Sequence, residues 1–184
     1  MAASRIIIGL GNPGPEYALT RHNLGFWAVD LLSATFRIQV EKKGARSLLG
    51  HGSVRGVHIA LVKPNTFMNE SGRAVKAVVQ LEGLGPADVL ILHDDMDIAL
   101  GHVKFSGAGG DAGHNGIASI IESLGTREFD RIRIGLGVRP RNVDGADWVL
   151  SPFEESELEA ARAGAKEAAD RAAEWLAGKK QSNR

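Results

Sequence analysis

At 184 residues, with 43% hydrophobic and 24% charged side chains, the chain is large enough to bury one substantial core and has an ordinary globular composition. It contains no cysteine, which excludes disulfide frameworks, thiolate nucleophiles and Cys-ligated zinc, and suits a reducing compartment such as the cytoplasm. Lysine plus arginine (22) balance aspartate plus glutamate (22), so any nucleic-acid partner must be met by a local basic patch and not by bulk charge.

No apolar run approaches the ~18 residues of a membrane span. The first ten residues, MAASRIIIGL, have too short an apolar stretch for a signal peptide and read as the start of a buried strand. One domain over residues 1–184 is expected.

In chain order, residues 5–10 read as a strand buried on both faces. A helix follows from Asn23 to about Thr35, with Leu24, Trp27, Leu31 and Ala34 at helical spacing. Strands are expected near Phe36–Val40, Leu48–Val54 and Val57–Lys63, the last two joined as a hairpin through Arg55-Gly56. MNESGRAVKAVVQLEG reads as a helix with Asn69 or Ser71 near its N-cap and Gly83 just past its end.

DVLILHDD (88–95) is a second buried strand, crowded with polar groups at its carboxyl end. HVKF (102–105) is a short strand, followed by the glycine-rich SGAGGDAGHNG and a helix from Asn115 to Leu124 stopped by Gly125. RIRIGLG (131–137) alternates: Ile132, Ile134 and Leu136 face one side, Arg131 and Arg133 the other. Residues 154–179 form one or two alanine-rich helices before the basic tail KKQSNR. Strands alternating with helices predict an α/β fold, a three-layer sandwich around a twisted mixed sheet.

In open α/β sheets, ligands bind beyond the carboxyl ends of the strands. That rule gathers GNPG after the first strand, KPNTFMN after the 57–63 strand, HDDMD after the 88–95 strand, and GHNG at one edge. They deliver Asn12, Asn69, His93, Asp94, Asp95, His114 and Asn115. Gly9-Leu10-Gly11-Asn12-Pro13-Gly14 also satisfies the dinucleotide pattern G-x-G-x-x-G. Against a cofactor, Pro13 offers no N–H to a phosphate, and the next helical pattern opens about nine residues after Gly14, too late to present its N-terminus.

His22, just ahead of a helix, either caps a backbone group or serves as a base. An imidazole with a pKa near ~6.5 is suited to taking a proton from water, and better suited when a carboxylate from HDD holds its other nitrogen. No G-x-S-x-G occurs and cysteine is absent, so water is the expected attacking group. The asparagines can position that water, bind a peptide backbone or stabilise an oxyanion, or simply cap turns and helices. Clustered aspartates suit magnesium, although Asp95 and Asp97 equally suit a solvated turn. Arg131, Arg133 and Lys104 can meet phosphate beside the 107–113 loop, or merely be solvated.

Taken together, GLGNPGPEYALTRHNLGF (9–26), KPNTFMNESG (63–72), HDDMD (93–97), GHNG (113–116) and RIRIGLG (131–137) resemble the bacterial-type peptidyl-tRNA hydrolases over roughly residues 5–150. The resemblance implies an esterase that frees peptides from prematurely released peptidyl-tRNA and recycles the tRNA. It implies a monomer acting in the cytoplasm with no cofactor, no metal and no obligate protein partner. His22 is then the general base and Asp94 orients it. Asn12, Asn69 and Asn115 bind the peptide and 3′ end or position water, and Tyr17 and Met68 line the same site.

Arg133 matches an arginine that grips the tRNA 5′ phosphate. Where a second lysine is common in the family this chain has Ser106, and Lys104, two residues earlier, shares its strand face. Asp111-Ala112 also departs from the family loop. The alternatives are a catalytically inactive RNA-binding protein of the same fold and a nucleotide-dependent oxidoreductase.

Overall fold

The computed structural model describes residues 2–178. Its strands are β1 (Arg5–Gly9), β2 (Lys42–Gly44), β3 (Ser47–Val54), β4 (Val57–Pro64), β5 (Val89–Asp95), β6 (Val103–Ser106) and β7 (Asp130–Gly135). Its helices are α1 (Leu24–Phe36), α2 (Ser71–Glu82), α3 (Asn115–Leu124), α4 (Gly145–Leu150) and α5 (Leu158–Leu176). The strands form one sheet in the order β2-β3-β4-β1-β5-β7-β6. β1 pairs in parallel with β4 and β5, and β5 with β7; β2, β3 and β6 add antiparallel edges. The expected mixed sheet between helical layers is therefore present.

The two faces explain the uninterrupted apolar runs. On β1 and β5, Ile7, Leu90 and Leu92 pack in one core with α1 and α5, while Ile6, Ile8, Val89 and Ile91 pack in the other with α2 and α3. Both faces being covered, no polar alternation is left in the sequence. The same two-residue period, carried to the end of β5, sends Asp94 to the α1 side and His93 to the opposite one.

Three expectations change. Residues 36–40 are not a strand: α1 runs to Phe36, Arg37 takes the left-handed conformation (φ 55°), and Ile38 is tied back to Ser33. The alternating Ile38 and Val40 are buried because this segment lies across β3, where a Cβ on Gly50 would sit 2.3 Å from Gln39 O. On α1 Leu24 is buried as expected, with Gly25, Phe26, Ala28, Val29 and Leu32, whereas Leu31 is 39% exposed and Ala34 is exposed. Gly25 sets that rotation, since a Cβ there would come 2.3 Å from Leu92 O and 2.5 Å from Leu10 N. Helix and sheet touch backbone to backbone, which draws the residues ahead of α1 onto the ends of β1 and β5.

Third, α4 was not expected. It is a six-residue helix capped by Asp144, whose side chain accepts from Ala146 N. The starts of α2 and α3 fall where expected: Asn69 and Ser71 flank the N-cap of α2, Glu70, and α3 opens on Asn115, behind its cap His114. The hairpin turn at Arg55-Gly56 and the stops at Gly83 and Gly125 stand as expected, all at positive φ. The tail 179–184 lies outside the described residues.

Candidate active site

Asp94, the last residue but one of β5, is only 1% exposed, and both of its carboxylate oxygens are taken by imidazoles. His22 Nδ1 lies 2.8 Å from Oδ2, and His114 Nε2 lies 2.8 Å from Oδ1. His22 arrives on the single turn Arg21–Asn23 that leads into α1. His114 arrives as the cap of α3, its Nδ1 accepting the backbone N–H of Ile117 at 3.2 Å. That bond fixes its tautomer, because a nitrogen that accepts carries no proton, so Nε2–H donates to Asp94. The sequence placed His114 at this edge without assigning it the second hold on the carboxylate.

Burial opposes charge on Asp94, but the two imidazoles and their hydrogen bonds outweigh it and hold the carboxyl well below the usual range. For His22, burial is the strongest influence and pulls the pKa down. The Asp94 charge and hydrogen bond together overcome it, and the net displacement is upward from 6.5. His93, pushed down to about 3 chiefly by burial and then by His114, stays neutral. Its ring packs edge-on against His114 at 4.9 Å, and its Nδ1–H donates to Asp94 O.

Asn12 is buried and mostly spent on architecture. Its Oδ1 accepts from Met68 N at 2.7 Å, while its own N–H and C=O pair with the side chain of Asn23 at 2.9 and 3.0 Å. Asn23 was missed because a reciprocal pairing of two asparagines has no local signature. The glycine motif is now explained without a nucleotide. Gly9 permits close approach, since a Cβ would meet Gly25 O at 2.1 Å, and Gly14 turns the chain at φ 111°.

His22, Asp94 and Asn115 line one cavity of about 300 Å³, walled by Asp111–His114 and by Asp144–Ala146 and Val149 at α4. Asn12 lines a neighbouring cavity of about 370 Å³ with Trp27, Lys63 and Asn65. Met68 is buried beside Gly116. Tyr17 stands edge-on to the exposed Phe67, ring centres 6.2 Å apart. Asn69 is exposed on the turn Met68–Glu70 and lines neither cavity.

On the other side of β5, Lys104 and Arg133 are direct cross-strand partners on β6 and β7, so they share a face. Arg133 Nε donates to Asp95 Oδ2 at 2.9 Å and Nη1 reaches Ser106 Oγ at 3.4 Å. Arg131 is not a solvated strand residue. Only 3% exposed, it donates to the carbonyls of Gly109, Gly110 and Arg127, so the glycine-rich loop folds over it. His22, Asp94 and His114 are the group among the described residues whose ligand atoms, within 4.8 Å of one another, could hold a metal. Asp95 is instead turned to Arg133.

An α/β sandwich that presents an imidazole held by a buried carboxylate at the wall of a cleft has the arrangement that acid–base chemistry needs. Residues 6–184 match the model of the family described as peptidyl-tRNA hydrolase. The peptidyl-tRNA hydrolase of Geobacter metallireducens is 47% identical over 156 residues, covering 85% of this chain and 80% of that one. That of Moorella thermoacetica is 43% identical over 176 residues, covering 96% and 92%. The crystal structure of the Acinetobacter baumannii peptidyl-tRNA hydrolase aligns with a TM-score of 0.85 at 32% identity, over 96% of this chain and 88% of that one. The chain belongs to the peptidyl-tRNA hydrolase family. No described helix is long and apolar enough to cross a membrane.

Proposed function

We propose that His22 and Asp94 cleave the ester joining peptide to tRNA in peptidyl-tRNA, His22 drawing a proton from the attacking water while Asp94 holds the ring. The observation that carries this reading is the 2.8 Å His22–Asp94 contact, with Asp94 held from its far side by His114. With Nδ1–H donated to the carboxylate, neutral His22 presents Nε2 as the acceptor. Water adds to the ester carbonyl, and its proton passes to Nε2. The imidazolium, stabilised by Asp94, returns that proton to the departing ribose oxygen.

Amides suit the rest of the task, because they can accept from and donate to a peptide backbone of any sequence. Asn115 stands in the same cavity as the base; Asn12, Asn69 and Tyr17 are assigned to the surface toward the peptide and the 3′ end, with the buried Met68 supporting Asn12 through its backbone N–H. The reading takes one chain as the working unit, in the cytoplasm and without a cofactor. Sedimentation as a dimer at assay concentrations would contradict the monomer.

The test is release of N-acetyl amino acid from N-acetyl-aminoacyl-tRNA, beside unblocked aminoacyl-tRNA and with EDTA present. Cleavage of the blocked ester that survives EDTA, with the unblocked ester spared, is expected. Salt-dependent tRNA binding by folded protein without cleavage would overturn it.

Arg133, with Lys104 beside it, is assigned to the tRNA phosphate. Its Nε is committed to Asp95 and its Nη1 reaches Ser106 Oγ at 3.4 Å, so Nη2 is the nitrogen assigned to a ligand. Charge-assisted bonds to phosphate contribute ~1.5–3 kcal/mol. Arg133→Ala should therefore raise KM for the tRNA ester by about tenfold or more and reduce the slope of log affinity against log salt by about one. Equal KM and equal slope in the variant would remove Arg133 from the interface.

A further inference from the structure

Arg21, the residue before His22, carries a guanidinium buried as deeply as the apolar core, 2% exposed. Its Nη1 donates to Glu157 Oε2 at 2.9 Å and to Leu136 O at 3.2 Å; Nη2 donates to Glu157 Oε1 at 2.7 Å, and Nε to Ser151 Oγ at 3.1 Å. The Trp148 ring centre lies 3.7 Å from the guanidinium carbon and that of Phe153 lies 4.8 Å away. The backbone repeats the connection: Arg21 N donates to Ser151 O at 3.0 Å, and Thr20 bridges Pro152. Every partner comes from residues 136–157, far along the chain.

Stability alone is a poor reason for this arrangement. Replacing a buried ion pair by apolar side chains of similar volume is often neutral or stabilising. What a two-pronged guanidinium–carboxylate pair gives is direction, because both N–H bonds must align at once. Two parts of the site depend on that direction. One is the turn Arg21–Asn23, which carries His22 to Asp94. The other is α4, which holds Trp148 against Arg21 and supplies Ala146 and Val149 to the cavity wall facing His22.

We propose that Arg21, paired with Glu157, is a positioning residue for the reaction: it sets the place of His22 against Asp94 and of α4 over the cleft. Arg21 touches no reacting atom. The inference rests on His22 being the base. Misplacement by ~1 Å is enough to cost about a hundredfold in rate.

The test compares Arg21→Lys, which keeps the charge and loses the two-pronged geometry, with Glu157→Gln, which keeps the shape and loses the charge. Turnover of N-acetyl-aminoacyl-tRNA is measured per folded molecule. In both variants kcat should fall about 10- to 100-fold with KM within about twofold. The acid limb of the pH–rate profile should move to lower pH as His22 escapes the pull of Asp94. Ser151→Ala, which removes one bond to Nε, should show a smaller drop in the same direction, and it decides the matter together with Glu157→Gln if Arg21→Lys does not fold.

Wild-type kcat and pH profile in the folded variants, with only Tm lowered or only KM changed, would overturn the proposal. His22→Ala runs as the reference. If it stays active the base assignment fails, whereas normal turnover of the Arg21 and Glu157 variants beside an inactive His22→Ala defeats the positioning role alone.

Discussion

His22→Ala is expected to lower kcat for N-acetyl-aminoacyl-tRNA by about three orders of magnitude, within the range a general base contributes, and to leave the protein folded. The loss should not be total, because Asn115, the α4 wall and Arg133, the groups proposed to bind the ester, are left in place. The pH profile identifies the atom lost. His22 must be neutral to accept a proton, and its pKa is displaced upward from 6.5 by Asp94. Wild-type kcat/KM should therefore climb with pH along a limb lying above 6.5, and the variant should show no such limb.

Stability runs the opposite way across that window. A group whose folded pKa is raised stabilises the fold fully below its unfolded pKa and loses that contribution as pH rises through the folded one. The variant's Tm deficit is therefore larger at pH 6 than at pH 8. Calorimetry at both values checks it, and a deficit that grows with pH would mean that the His22–Asp94 attraction is not what shifts the ring.

The elements legible in the sequence are those whose burial is decided locally. β1 and β5 lie between two helical layers, so Ile6–Ile8 and Val89–Leu92 are unbroken apolar runs that cannot be mistaken. The stops at Gly83 and Gly125 and the turn at Arg55-Gly56 follow from backbone conformations that glycine favours. Ile38 and Val40 misled because burial against the face of β3 imposes the same two-residue alternation as membership of a sheet. On α1, hydropathy alone could not locate the buried face: Gly25, with no side chain, makes the closest contact with the strands.

The site was legible to the same depth. His22 and Asp94 come together because strand-end polarity and the family motifs indicate the same edge. What stayed hidden is what two distant residues do jointly: Asn12 with Asn23, Arg21 with Glu157, and His114 with Asp94. Arg131 is the sharpest case. On β7 it alternates as a solvated residue should, and only the folding of the 107–113 loop over its guanidinium turns it inward.

Asp94→Asn is the more damaging of the two substitutions at the dyad, although it preserves shape, with kcat expected to fall by about four orders of magnitude. The carboxylate accepts from His22 Nδ1 and His114 Nε2, both at 2.8 Å. An asparagine can accept with only one of its two ends. His114 has no choice of tautomer, because its Nδ1 already accepts from Ile117 N, so the amide oxygen must face His114. The amide NH2 is then turned to His22, whose Nδ1 becomes an acceptor, and the proton moves to Nε2. That nitrogen is the one that must receive the proton of water, so the base is present, correctly placed and blocked.

Removing the lock should release it. In the double variant Asp94→Asn, His114→Ala the amide is free to rotate and offer its oxygen to His22. Single-turnover kinetics should then show the double variant about tenfold faster than Asp94→Asn alone, a negative coupling between contacting residues. A double variant slower than either single would show that Asp94 acts through its charge and not by choosing the tautomer of His22.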